Sequence, residues 1–281
     1  MDSCVVCGQK NKTTTVFREF GINILRCNGC GHIYSSYGAS ADPAAYFGDD
    51  IASRDHFWWR EAHERMYAAF GEKFLSGRSG RLLDVGCGLG YFVKFAAGES
   101  GWEAYGLEIS VPAVEFAKNK LGLKNIFAGS VGAAGFKEKY FDIITLWDVI
   151  EHVGDPHPFL KYLNSLLKDG GILFIHTPNI KIQLPKARLK KFLRGERPGA
   201  HYLEARDHLN NYSVKSLGAI LRVNGFKDIE FTHLPPIQSV AGSRSVFLRV
   251  IKNAWFNIAR LLAFISGGML NLDNLFVVAR K

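Results

Sequence analysis

From position 81 to 177 the chain alternates short apolar runs with amphipathic stretches of helix length. RLLDV (81–85), EAYGL (103–107), NIFA (125–128), FDIITL (141–146) and GILFIHT (171–177) read as strands, and YFVKFAA (91–97) as a helix after the first. That rhythm marks βαβ units, in which crossover helices cover the faces of a parallel sheet. Upstream, HFWWREAHERMYAAFGEKFL (56–75) sets Phe57, Trp58, Met66, Ala69 and Phe70 at helical spacing, so an amphipathic helix leads into the sheet. It either covers a sheet edge or lends its aromatics to the roof of a ligand pocket. Downstream, a helix over 213–223, a strand at KDIEFTH (227–233) and a final strand at NLFVVAR (274–280) complete the pattern. Residues 1 to 40 lack this rhythm, being short runs broken by Gly8, Gly31 and Gly38.

Composition narrows the class. Of 281 residues, 47% are hydrophobic and 22% charged, which suits a globular chain with a sizeable core. No run approaches the roughly 18 apolar residues of a membrane span, and no apolar run follows a basic start. The expected location is therefore cytoplasmic, with peripheral membrane contact left open. A formal charge of +9 suits anionic partners, whether phosphates, nucleic acid or an acidic membrane, without choosing among them.

Four of the five cysteines fall in two matched units, CVVCG and CNGCG. Without a secretion signal, such pairs read as thiolates holding a metal rather than as disulfides. Each CxxC sets two sulfurs on one tight turn. Cys4, Cys7, Cys27 and Cys30 would close a tetrahedral, structural Zn²⁺ site, with no position open for an activated water. The expected organisation is a zinc ribbon over 1–40 followed by one larger domain over 41–281.

In DVGCGLG, Gly86, Gly88 and Gly90 follow a strand and precede a helix, where missing side chains permit positive φ and close approach of a ligand. Glu108 ends the next strand. It is placed to hold a ribose diol, or else is a surface acid at a helix start. A dinucleotide fold would favour GxGxxG; here the spacing is GxGxG and Tyr91 follows.

DVGCGLGYF, GLEIS, FDIITLWDVIEHVGDP and LKDGGILFIHTPN, in this order, resemble the class I S-adenosylmethionine-dependent methyltransferases. The likeness is greatest to ubiquinone-biosynthesis-type O-methyltransferases and to methyltransferases of sugar and lipid pathways. It covers about 55–235 and the last strand, and implies an α/β, Rossmann-like, seven-stranded methyltransferase sheet. It also implies that Asp84 and the backbone of Gly86, Cys87 and Gly88 border the methionine part of S-adenosylmethionine, while Glu108 binds the ribose hydroxyls. Ser130 and Val131 match the adenine contact, where many relatives carry an acid. Gly90, Ile109, Trp147 and Asp148 complete the expected cofactor set, the last two at the crevice rim beyond the strand ends. Cys87 lends its backbone only.

For a hydroxyl acceptor, methyl transfer needs alignment, exclusion of water and removal of a proton. His152 in WDVIEH is the candidate base. The alternative is that Glu151 and His152 cap or brace the helix beginning near Pro156 while the proton leaves to water. His176, His201 and His208 are further candidates, each with a structural reading. The basic stretch KIQLPKARLKKFLRGERPG carries Lys181, Lys186, Arg188, Lys190, Lys191, Arg194 and Arg197, and reads as a lid over about 181–210 or as a solvated helix face. An amphipathic insertion over about 245–268 sets Arg249, Asn253, Asn257 and Arg260 on one stripe; it meets a membrane, a lipid acceptor, the sheet domain or a second subunit. The expected acceptor is a small molecule, sugar or lipid bearing an anionic group, methylated on oxygen, with carbon and nitrogen left open. RNA docked through the ribbon is the runner-up, although aromatics do not interleave with the basic run. A non-catalytic S-adenosylmethionine-binding protein is the third reading.

Overall fold

The computed structural model describes residues 3–10, 12–37, 63–197, 202–235, 246–266, 272 and 274–281. Two sheets organise them. The smaller begins with β1 (Thr13–Glu19), β2 (Ile22–Cys27) and β3 (Ile33–Ser35). Phe20 and Gly21 join β1 to β2 with φ of 45° and 80°, the left-handed pair whose twist matches a two-residue hairpin. The fourth strand, β9 (Asn210–Asn211), comes from far along the chain and pairs antiparallel with β3.

The larger sheet contains β4 (Gly80–Val85), β5 (Trp102–Glu108), β6 (Ile126–Ala128), β7 (Phe141–Trp147), β8 (Leu167–Thr177), β10 (Lys227–Thr232) and β11 (Leu275–Arg280). Its order is β10-β11-β8-β7-β4-β5-β6. The pairings from β8 to β6 are parallel, while β11 runs antiparallel to both neighbours. The expected seven-stranded α/β sheet is thus present, with every anticipated strand in it.

Consecutive residues of the central strands point to opposite faces, and both faces are covered. Leu83, Ile144 and Leu173 pack under α4 (Pro156–Leu166) and α6 (Val214–Val223). Leu82, Ile143 and Phe174 join Met66, Phe70 and Phe92 of α1 (Glu64–Phe70) and α2 (Tyr91–Ala97). Burial on both sides explains runs that read as continuously apolar. Each such side chain removed from water contributes about 1.5–3 kcal/mol. The described part of the leading helix is therefore core, and Phe57 and Trp58 lie outside the described residues. α3 (Val111–Asn119) follows β5, capped by Ser110, and α4 is capped by Asp155. Glu151 and His152 do not cap α4; they occupy a separate 3-10 turn, Ile150–His152.

The basic stretch forms α5 (Ile180–Arg194), which packs on the small sheet through Ile180 and Ala187 beside Phe17, Ile24 and Ile33. Arg188 donates to the Val16 carbonyl and Lys191 to that of Arg18. His157 of α4 donates from Nε2 to the Val5 carbonyl at 2.7 Å. The N-terminal strands are thereby seated on the rest of the molecule. α7 (Val246–Ile265) occupies the amphipathic insertion.

Candidate active site and metal centre

The first cysteine turn closes with Gly8 N–H on the Cys4 carbonyl and Cys4 N–H on the Gln9 carbonyl, and the second repeats this with Gly31, Cys27 and His32. Gly8 and Gly31 take φ of 69° and 80°, so glycine is what lets each turn close. The four sulfurs lie within 4.8 Å of one another, with Cys4 to Cys30 at 3.6 Å and Cys7 to Cys27 at 3.5 Å. A tetrahedron with metal–sulfur bonds of about 2.3 Å has edges of about 3.8 Å. The donor set fits a Zn²⁺ ion.

At the C-terminal edge of the large sheet, β4 ends at the glycine turn. Gly86, Gly88 and Gly90 have φ of 71°, 52° and 80°. A Cβ on Gly86 would stand 2.6 Å from Val149 Cγ2, so steric fit as well as conformation requires glycine there. Cys87 is buried, its Sγ 2.8 Å from where a Cβ on Gly106 would stand, and burial pushes its thiol well up.

Glu108 is buried rather than a surface acid. One oxygen accepts Gly88 N–H at 2.9 Å and the other Ser110 N–H at 2.8 Å, which orients the carboxylate and leaves each oxygen a lone pair. Asp84 accepts from Thr145 Oγ1 at 2.7 Å. Burial pushes the Asp84 carboxyl up to about 8, the Thr145 bond opposing and the Glu108 charge adding. Ile109 is exposed after Glu108, and Ser130 and Val131 follow β6 at the same sheet edge.

Trp147 ends β7 and Asp148 follows it at the same sheet edge. The indole packs against Tyr67, Phe70, Phe92 and Phe174, with ring centroids 4.9–5.7 Å apart. Its Nε1 is buried without a hydrogen-bond partner among the described residues. Asp148 takes φ of 53° and pairs with His176 Nδ1 at 3.0 Å. Desolvation in the crevice raises its carboxyl, but the charge and contact of His176 together with the charges of His63 and His208 outweigh that and hold it below the usual range.

His152 is half-buried, and its Nδ1 lies 3.0 Å from the Asp207 carbonyl. A carbonyl only accepts, so Nδ1 carries the proton and Nε2 is left as the basic nitrogen. Burial lowers the His152 pKa, and the Asp207 bond and nearby acids only partly offset this. His208 stands with its ring 4.9 Å from that of His152 and Nε2 3.3 Å from Glu204. Burial first, then the His152 charge, lowers His208 to about 3. Beneath them Glu151 is buried, bonded to Thr177 Oγ1 at 2.9 Å, and burial followed by the Asp148 charge raises its carboxyl well above the usual value. A cavity of about 110 Å³ opens beside His208, lined also by Pro178, Gln183, Tyr202 and Asn211.

Sequence reasoning missed Tyr67, Thr145, Glu151's partner Thr177, and Asp207. Thr145 was signalled faintly, as a hydroxyl within an otherwise apolar strand end. His201 lies outside the described residues.

A doubly covered parallel sheet with an antiparallel last strand, a glycine turn and an acid on the adjacent strand defines a class I S-adenosylmethionine-dependent methyltransferase fold. A family described as methyltransferase domain matches residues 58–230, and the chain belongs to it. Among curated relatives, a ubiquinone biosynthesis O-methyltransferase of Parvibaculum lavamentivorans is 37% identical over 35% of this chain and 40% of its own. The enzyme of that name from Bordetella avium is 27% identical over 61% of this chain and 73% of its own. The first of these alignments thus spans less than half of the relative's length. In fold, the chain is similar to Haemonchus contortus phosphoethanolamine N-methyltransferase 2, solved with S-adenosyl-L-methionine, with a TM-score of 0.55, 16% identity, and coverage of 89% of this chain and 62% of that one.

Proposed function

We propose that this chain methylates an oxygen of a small-molecule, sugar or lipid acceptor, with His152 taking the acceptor's proton. S-adenosylmethionine, when bound, supplies an electrophilic methyl group on a sulfonium. Asp84 and the Gly86–Cys87–Gly88–Gly90 turn would border its methionine part, Glu108 and Ile109 the ribose, Ser130 and Val131 the adenine, and Trp147 and Asp148 the rim. The observation that carries the reading is the His152 Nδ1 bond to the Asp207 carbonyl, which leaves Nε2 unprotonated in a ring kept neutral at physiological pH. His152 Nε2 would accept the hydroxyl proton of the acceptor, whose oxygen would take the methyl group that S-adenosylmethionine supplies. The curated relatives are O-methyltransferases, which supports oxygen as the acceptor atom.

His152→Ala should lower turnover by ~10²-fold or more with cofactor affinity kept, the usual scale of general-base loss. Because its pKa is lowered, the acid limb of the wild-type pH profile should fall below the ordinary histidine value of 6.5. Unchanged turnover in the variant removes His152 from the mechanism.

Cys4, Cys7, Cys27 and Cys30 would hold one structural Zn²⁺ ion. An anionic acceptor group suits the charge of +9 and the basic α5. α7 is proposed as a peripheral anchor on anionic lipid. Its narrow docking stripe, Asn253, Phe256 and Ala259, leaves Phe247, Ile251, Ile258, Leu261 and Ile265 exposed along the other side. The helix sequence holds Arg249, Lys252 and Arg260 and no acid, the charge pattern suited to an acidic surface. Leu275 of β11 pairs with Thr177 at the end of β8, so β11 begins at the crevice edge of the sheet.

A further inference from the structure

Glu19 ends β1, yet its side chain is buried at 3% exposure. One carboxylate oxygen accepts Tyr202 N–H at 2.8 Å, and the other accepts Leu203 N–H at 3.0 Å and Ala205 N–H at 3.2 Å. Between the last two sits Glu204 with φ of 54°, a left-handed conformation uncommon for a side-chain-bearing residue. Backbone N–H groups around such a residue converge into a concavity that suits an anion. Here the anion is a side chain of the N-terminal sheet.

The consequences reach the crevice. With the chain turned at Glu204, its carbonyl accepts Asp207 N–H at 2.9 Å and His208 N–H at 2.8 Å. That closed turn presents the Asp207 carbonyl to His152 Nδ1 and sets His208 against the same ring. The β3–β9 pairing and the Ser35 hydroxyl on the Ala205 carbonyl brace the same loop from the same sheet.

We propose that Glu19 is a positioning residue for His152: by holding the 202–208 loop, the N-terminal ribbon selects the imidazole tautomer that leaves Nε2 basic. The link to turnover rests on the proposed role of His152; the link to its tautomer does not.

The test uses the full-length, zinc-loaded protein and the variants Glu19→Ala and Glu19→Gln. The glutamine keeps an acceptor oxygen but sets an amide N–H against backbone donors. Long-range ¹H–¹⁵N spectra of the His152 ring, assigned by its loss in His152→Ala, report the tautomer. The expected wild-type form is Nδ1–H; Glu19→Ala should populate the Nε2–H form, and turnover should fall roughly 10- to 100-fold, the scale for a displaced catalytic group. Glu19→Gln should lie between. Bound zinc, counted per chain, monitors the ribbon, and if the alanine variant fails to load, the glutamine variant carries the comparison. An unchanged His152 tautomer in a loaded variant overturns the proposal. A shifted tautomer with unchanged turnover leaves Glu19's role standing and instead overturns that of His152.

Discussion

Asp84 shows how a residue picked out by pattern acquires a chemistry that the pattern did not contain. As the last acid before the glycine turn it was an expected neighbour of the cofactor, but its burial and its Thr145 partner come from two strands meeting side by side. Its pKa of about 8 lies above the ordinary 3.8, so the folded state holds the proton more tightly. Its contribution to stability is therefore fully present below about pH 4 and is lost as pH rises towards 8. A cationic ligand beside it favours the carboxylate. Binding of S-adenosylmethionine at pH 7 should accordingly release a proton, visible by calorimetry in two buffers of different ionisation enthalpy, and Asp84→Asn should abolish that release. Identical heats in both buffers for the wild type would contradict the assignment. Glu19 is the opposite case: nothing local in TTTVFRE announces the loop that folds over it.

Among the elements, those with strong periodicity were legible in the sequence. The strands between 81 and 177, the helix after Ser213 and the last strand all appear, because burial on one or both faces imprints a period. β9 was not legible, since two asparagines carry no period and their pairing with β3 depends on distant chain. α7 was legible as amphipathic, but which face would remain outside was not. Phe247 and Phe264 are 72% and 85% exposed, a large apolar surface for a helix already seated by its other side. Intact protein should therefore sediment with vesicles containing acidic phospholipid, and Phe247→Glu with Ile258→Glu should abolish this while the thermal midpoint stays within a few degrees. Binding that survives the double variant, or none by the wild type, would rule out α7 as the anchor.

Across the whole molecule, the boundary expected near residue 40 separates sequence textures more cleanly than it separates contacts. Strands of the first 35 residues pair with β9, bury Glu19 under the 202–205 backbone and receive α5. Two cations of the basic stretch, Arg188 and Lys191, are bonded to carbonyls of the N-terminal strands. Pattern alone could not foresee this, because docking is a property of surfaces brought together by the fold. With Zn²⁺ held by Cys4, Cys7, Cys27 and Cys30 as proposed, a chelator should therefore cost turnover as well as the ribbon's structure, and restoring Zn²⁺ should recover both. Full activity in metal-free protein would confine the ribbon to a separate task. The most direct test of the account is to incubate the pure protein with methyl-labelled S-adenosylmethionine and fractionated polar, lipid and RNA extracts, beside His152→Ala. Label should enter the polar or lipid fraction as an oxygen-linked methyl group and fall by ~10²-fold in the variant; label confined to RNA, or transferred equally well by the variant, would contradict it.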